Sequence, residues 1–72
     1  MREYSRMLIE EYCWTHNSAK SRRLQKLVEL SYDINCEAYD DDAIFLEKAI
    51  NSEKDPELKE ALEDLDEFLF GY

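Results

Sequence analysis

Leu58, Leu62, Leu65 and Leu69 recur at steps of four, three and four, and Ala61 and Phe68 flank them. At about 100° per residue these six side chains fall on one stripe of a helix. Glu57, Glu60, Glu63, Asp64, Asp66 and Glu67 occupy the other side, with Lys59 the only cation there. Such a helix must lay its stripe against apolar partners, and it presents carboxylates outward. The chain around it has one Gly and one Pro, so little punctuates strands, and the apolar spacing is helical almost throughout. The sequence predicts an all-α fold: a small bundle of three to four short helices in a single domain spanning residues 1–72.

The helices are expected near residues 2–16, 19–35, 43–50 and 56–70. In the first, Tyr4, Leu8 and Tyr12 form the main apolar face, with Ile9 and His16 at its edge; Met7 and Trp14 lie seven residues apart on a different side. Asn17-Ser18 breaks that helix and caps the next. The second buries Leu24, Leu27, Val28, Ser31 and Ile34. Asp40, Asp41 and Asp42 precede the third, where carboxylates meet free backbone N–H groups and the positive end of the dipole. Phe45, Leu46, Ala49 and Ile50 face a core there, and Ile44 points elsewhere. Asp55 and Pro56 open the fourth as N-cap and first helical residue, and Gly71 closes it.

Seventy-two residues support one domain with a marginal core. Hydrophobic residues make up 44% of the chain, too many for a disordered tail. Nine Lys and Arg stand against eighteen Asp and Glu, a formal charge of -9. Residues 1–28 hold six cations and three anions, a balance of +3; residues 29–72 hold three cations and fifteen anions, a balance of -12. That field repels nucleic-acid backbones and anionic membranes and attracts basic protein surfaces. Direct nucleic-acid binding is expected only through the local patch at Lys20, Arg22, Arg23 and Lys26, whose side of the helix also carries Glu29 and Asp33. Two cysteines are too few for a disulfide framework, and neither a signal peptide nor a spanning segment is evident. The expected setting is cytoplasmic, with free thiols.

Few residues of the chain are spaced for chemistry. Cys13 and His16 are spaced i, i+3 and Cys36 follows, but structural zinc requires four ligands and the chain has only three Cys and His. Asp33, Asn35 and Glu37 fit the first ligand positions of a calcium loop, but Ala38 stands where Gly is needed and Ile44 where the bidentate Glu belongs. There is no nucleophile elbow and no glycine-rich phosphate loop. No enzyme activity, metal or cofactor is expected.

Contact with a macromolecule remains. Glu57, Glu60, Asp64 and Glu67 form a row with axial spacing of about 4.5–6 Å, similar to a strand of phosphates. The expected function is a small acidic regulator or inhibitor that engages a basic surface, that of a nucleic-acid-handling protein in particular. This row, Asp40–Asp42 and the apolar groups Trp14 and Met7 are the candidate contact residues. In size and acidity the chain is similar in kind to small phage- or plasmid-encoded inhibitors, nucleic-acid mimics among them, a likeness carried by composition and by no motif. The rival expectations are a self-associating module that pairs its leucine stripe across a two-fold axis and a nucleic-acid-binding regulator using Lys20–Lys26.

Overall fold

The computed structural model of the protein describes residues 1–32 and 39–71. Four helices carry the chain: α1 (Glu3–Thr15), α2 (Ala19–Leu30), α3 (Asp40–Ser52) and α4 (Pro56–Phe70). The described residues contain no strand, as the scarcity of Gly and Pro predicts. α1 packs against both α2 and α4, and α3 packs against α4. The core is Ile9 from α1, Leu24, Leu27 and Val28 from α2, Leu46 and Ala49 from α3, and Leu58, Ala61, Leu62 and Leu65 from α4.

Side-chain oxygens set several helix boundaries. Ser18 Oγ accepts from the Ser21 N–H at 3.1 Å and Ser21 Oγ accepts from the Ser18 N–H at 2.9 Å, a reciprocal cap at the start of α2. Asp55 Oδ1 accepts from the Glu57 N–H at 3.0 Å and Pro56 follows it, so α4 begins where the Asp-Pro pair predicts. Gly71 ends α4 in extended backbone, its N–H donating to the Glu67 carbonyl at 2.7 Å. A Cβ there would stand 2.3 Å from that oxygen, so close approach, not a left-handed turn, favours glycine.

Two boundaries differ from expectation. α2 stops at Leu30 because Ser31 Oγ and N–H both donate to the Val28 carbonyl, at 2.6 and 3.0 Å, and tighten the last turn. The buried stripe of α2 therefore runs from Ser21 through Leu24, Leu27 and Val28 to Ser31; Ile34 lies outside the described residues. α3 begins at Asp40, so Asp40–Asp42 are its first turn instead of its approach. Asp42 Oδ2 reaches back to accept from the Tyr39 N–H at 3.2 Å, which fixes the earlier start.

The expected face of α1 is rotated. Ser5 and Ile9 are its fully buried residues, Leu8, Tyr12 and Cys13 are half-buried, and Tyr4 is 59% exposed. A helix held between two neighbours buries the line between its two contacts. Leu8 and Tyr12 line the α4 side, and Cys13 donates its S–H to the Ser21 carbonyl of α2 at 3.3 Å. On α4, Phe68 is 49% exposed. α1 begins opposite Asp64, and the last turn of α4 runs past it.

Candidate partner-binding groove

α1 and α4 lie alongside each other in opposite directions, and a groove follows their junction. Arg2 starts it. Its Nε donates to Asp64 Oδ2 at 2.5 Å and its Nη2 to Glu60 Oε1 at 2.9 Å, so one guanidinium spans two carboxylates one turn apart on α4. Ser5 Oγ donates to the same Asp64 oxygen at 2.5 Å. The Ser5 hydroxyl first, and Arg2 second, hold the Asp64 carboxyl below its ordinary pKa.

Further along, the Tyr4 hydroxyl donates to Glu57 Oε2 at 3.3 Å. Its pKa is raised above the usual phenol value, by the Glu57 charge first, then by burial and the Glu57 hydrogen bond, with Asp55 and Glu11 contributing. Three carboxylates from two helices thus bear on one hydroxyl. Beneath them are two adjoining hollows that share Leu8. One of about 200 Å³ is lined by Arg2, Tyr4, Ser5, Leu8, Glu57, Glu60 and Ala61. The other, of about 220 Å³, is lined by Leu8, Glu11, Tyr12, Thr15, Asp55 and Leu58. The groove has an apolar floor of Leu8, Leu58 and Ala61 and an anionic rim of Glu11, Asp55, Glu57 and Glu60, with Arg2 as its cation.

The expected acidic row is therefore divided. Glu60 and Asp64 are engaged by Arg2, and Glu57 accepts from Tyr4; Glu67 is exposed and lines a hollow with Met1, Arg2, Asp64 and Phe68. A free row of four carboxylates does not exist in the fold, because Arg2, just before α1, pairs with Glu60 and Asp64, although Glu57, Glu60 and Glu67 stay exposed to solvent. Asp66 turns towards α3, where burial first and the Glu47 charge second raise its carboxyl pKa. Asp40 and Asp41 are exposed, and Asp42 is half-buried. Arg23 of α2 donates to the Asp41 carbonyl at 3.2 Å and to Asp42 Oδ1 at 3.3 Å while stacking 4.5 Å over the Phe45 ring. Asp41 and Asp42 are thus tied to α2.

Trp14, 80% exposed, and Met7, 59% exposed, stand clear of the core on α1, and neither lines the groove. Within the basic patch, Arg23 is committed to α3, Arg22 donates to Asn17 Oδ1 at 3.4 Å, and the Lys20 ammonium sits 5.6 Å from the Tyr12 ring centroid. His16 stacks on Tyr12 with ring centroids 4.1 Å apart and directs Nδ1 at the Tyr12 carbonyl, 3.0 Å away. Burial first, then Glu10, raises the Cys13 thiol pKa. Cys36 and the calcium-like positions Asp33, Asn35, Glu37 and Ala38 lie outside the described residues. Among the described residues no group of three or more His, Cys, Asp or Glu could hold a metal ion, and no helix is long and apolar enough to cross a membrane.

Sequence reasoning missed Arg2, Tyr4, Leu8, Glu11 and Asp55 as members of one surface. Leu8 and Tyr12 at i, i+4 and the paired anions Glu10-Glu11 are visible in the sequence, but the register of α1 on α4 is set by Ser5 and Arg2 meeting Asp64, a contact 59 and 62 residues apart. No protein-family model matches the chain, and neither does any curated protein or solved structure.

Proposed function

We propose that the protein is a small binding module or inhibitor whose α1–α4 groove takes a basic, partly apolar segment of another protein. The observation that carries this reading is the groove itself: Leu8, Leu58 and Ala61 beneath a rim of Glu11, Asp55, Glu57 and Glu60. An apolar floor under carboxylates matches a segment in which cations alternate with aliphatic side chains. The net charge of -9 favours encounter with such a segment and makes it sensitive to salt. Mimicry of a phosphate row draws less from the fold, since Arg2 would have to leave Glu60 and Asp64 before that row could face a partner.

A short peptide in which arginine alternates with leucine is a defined probe. Glu11→Lys combined with Glu57→Lys should weaken its binding by about tenfold more than the charge-matched pair Glu29→Lys and Glu63→Lys. Those control residues are exposed and line neither hollow of the groove. Equal losses in the two double variants would show that net charge alone attracts the peptide, and the groove reading would fail.

A further inference from the structure

Two surfaces of the molecule are unpartnered and opposite in character. One is the outer side of α1. Trp14 stands there 80% exposed, more than any other large apolar side chain among the described residues, and Met7 lies two turns earlier on the same side. The stretch Met7–Thr15 holds Glu10 and Glu11 and no Lys or Arg. Both glutamates precede Trp14 by about one turn. The indole thus projects from an anionic surrounding.

The other surface is cationic. Where Arg23 of α2 reaches the first turn of α3, a cleft of about 290 Å³ opens, lined by Arg23, Asp41, Ile44, Phe45 and Lys48. A cavity of about 150 Å³ already takes a benzene ring, so the cleft has room for an indole. Ile44 is 52% exposed in it. Lys48 is exposed and forms no ion pair among the described residues. Arg23 is fixed by the Asp41 carbonyl, the Asp42 carboxylate and the Phe45 ring beneath it, yet 42% of its side chain stays open. A guanidinium already ordered in this way can receive a second ring with little further loss of rotamer freedom.

The two surfaces complement each other in charge and in shape. Tryptophan is the aromatic ring that cations prefer. A buried indole also needs an acceptor for its N–H, and Asp41 places a carboxylate in the cleft. Lys48 matches the glutamates that accompany Trp14. Neither Trp14 nor any residue of the cleft lines the α1–α4 groove, so the two sites stand independently.

We propose that the cleft between α2 and α3 is the docking site for Trp14 of a second copy of the chain: the indole enters beside Arg23 and against Ile44, and Glu10 and Glu11 come to Lys48. Knob and cleft are different surfaces, so the contact is heterologous; a dimer keeps one of each unfilled, and further copies can add. The leucine stripe of α4 faces the core and takes no part.

The test uses the full chain at about 0.1 M salt, which screens charges beyond about 10 Å and so reduces the repulsion of the -9 net charge while sparing charges in contact. Trp14 is the single tryptophan, so its fluorescence reports its own burial. Between about 10 μM and about 1 mM protein, emission should move to shorter wavelength in step with a rise in mass by sedimentation. Lys48→Glu and Ile44→Asp, both at exposed positions, should each weaken association about tenfold, with helical circular dichroism unchanged. Lys54→Glu removes an exposed lysine outside the cleft and should change it by less than about twofold. A chain that stays monomeric throughout, an emission shift independent of concentration, or association that leaves the emission unmoved would overturn the proposal. Equal losses in Lys48→Glu and Lys54→Glu would assign the effect to net charge and overturn it too.

Discussion

Asp64 and Asp66 are two residues apart on α4 and have opposite electrostatic surroundings. The Ser5 hydroxyl and Arg2 favour the charged form of Asp64; burial and Glu47 disfavour that of Asp66. A carboxyl with a lowered folded pKa contributes stability above its unfolded pKa, and the contribution disappears as pH falls through the folded value. A carboxyl with a raised folded pKa is a cost above that raised value, relieved below the unfolded one. Asp64→Asn should therefore lower the thermal midpoint at neutral pH, by an amount that shrinks as pH falls below the ordinary carboxylate range. Asp66→Asn should raise the midpoint at neutral pH, and that gain should vanish over the acidic range. Calorimetric melts of both variants across pH check the two signs, and changes of the same sign would refute the assignment. Ser5→Ala removes a buried hydroxyl that is 1% exposed and donates to a charged group; a loss of about 1–2 kcal/mol in chemical denaturation is expected.

Among the helices, local chemistry was legible in the sequence and relative placement was not. Ser18 at the start of α2 and Asp55-Pro56 at the start of α4 fall where turn and cap residues predict. Caps are made within a few residues, so sequence spacing contains them. The same locality makes Asp55→Ala a clean test: loss of its bond to the Glu57 N–H should cost about 1 kcal/mol, read by urea denaturation. The buried line of α1 was not legible in this way. Tyr4, Leu8 and Tyr12 form the apolar face that spacing suggests, yet Ile9 and the small Ser5 are the buried residues, and Ser5 faces Asp64 of α4. The acidic side of α4 is likewise interrupted by residues from the opposite end of the chain. The early end of α2 follows from Ser31 bonding back to the Val28 carbonyl, a competition that hydrophobic periodicity does not reveal.

Across the whole molecule, α2 packs on α1, α1 on α4 and α4 on α3, Arg23 of α2 also reaches α3, and Leu62 on α4 is fully buried in the core they share. Net stability at this size is only about 3–5 kcal/mol, and truncating a buried leucine removes about 2–5 kcal/mol. Leu62→Ala should leave much of the protein unfolded at room temperature, seen as lost helical circular dichroism. The packing order also creates the groove, because α1 is wedged against α4 with acidic residues on both of its margins. Screening reaches about 10 Å at 0.1 M salt, so association with a basic segment should weaken steadily as salt is added while the fold persists. The decisive measurement is a map of backbone amide shifts in isotope-labelled protein titrated with the arginine–leucine peptide. Shifts concentrated at Leu8, Glu11, Tyr12, Glu57, Leu58 and Ala61 are predicted. Shifts spread over α2 and α3, or centred on Met7 and Trp14, would contradict the α1–α4 groove as the binding surface.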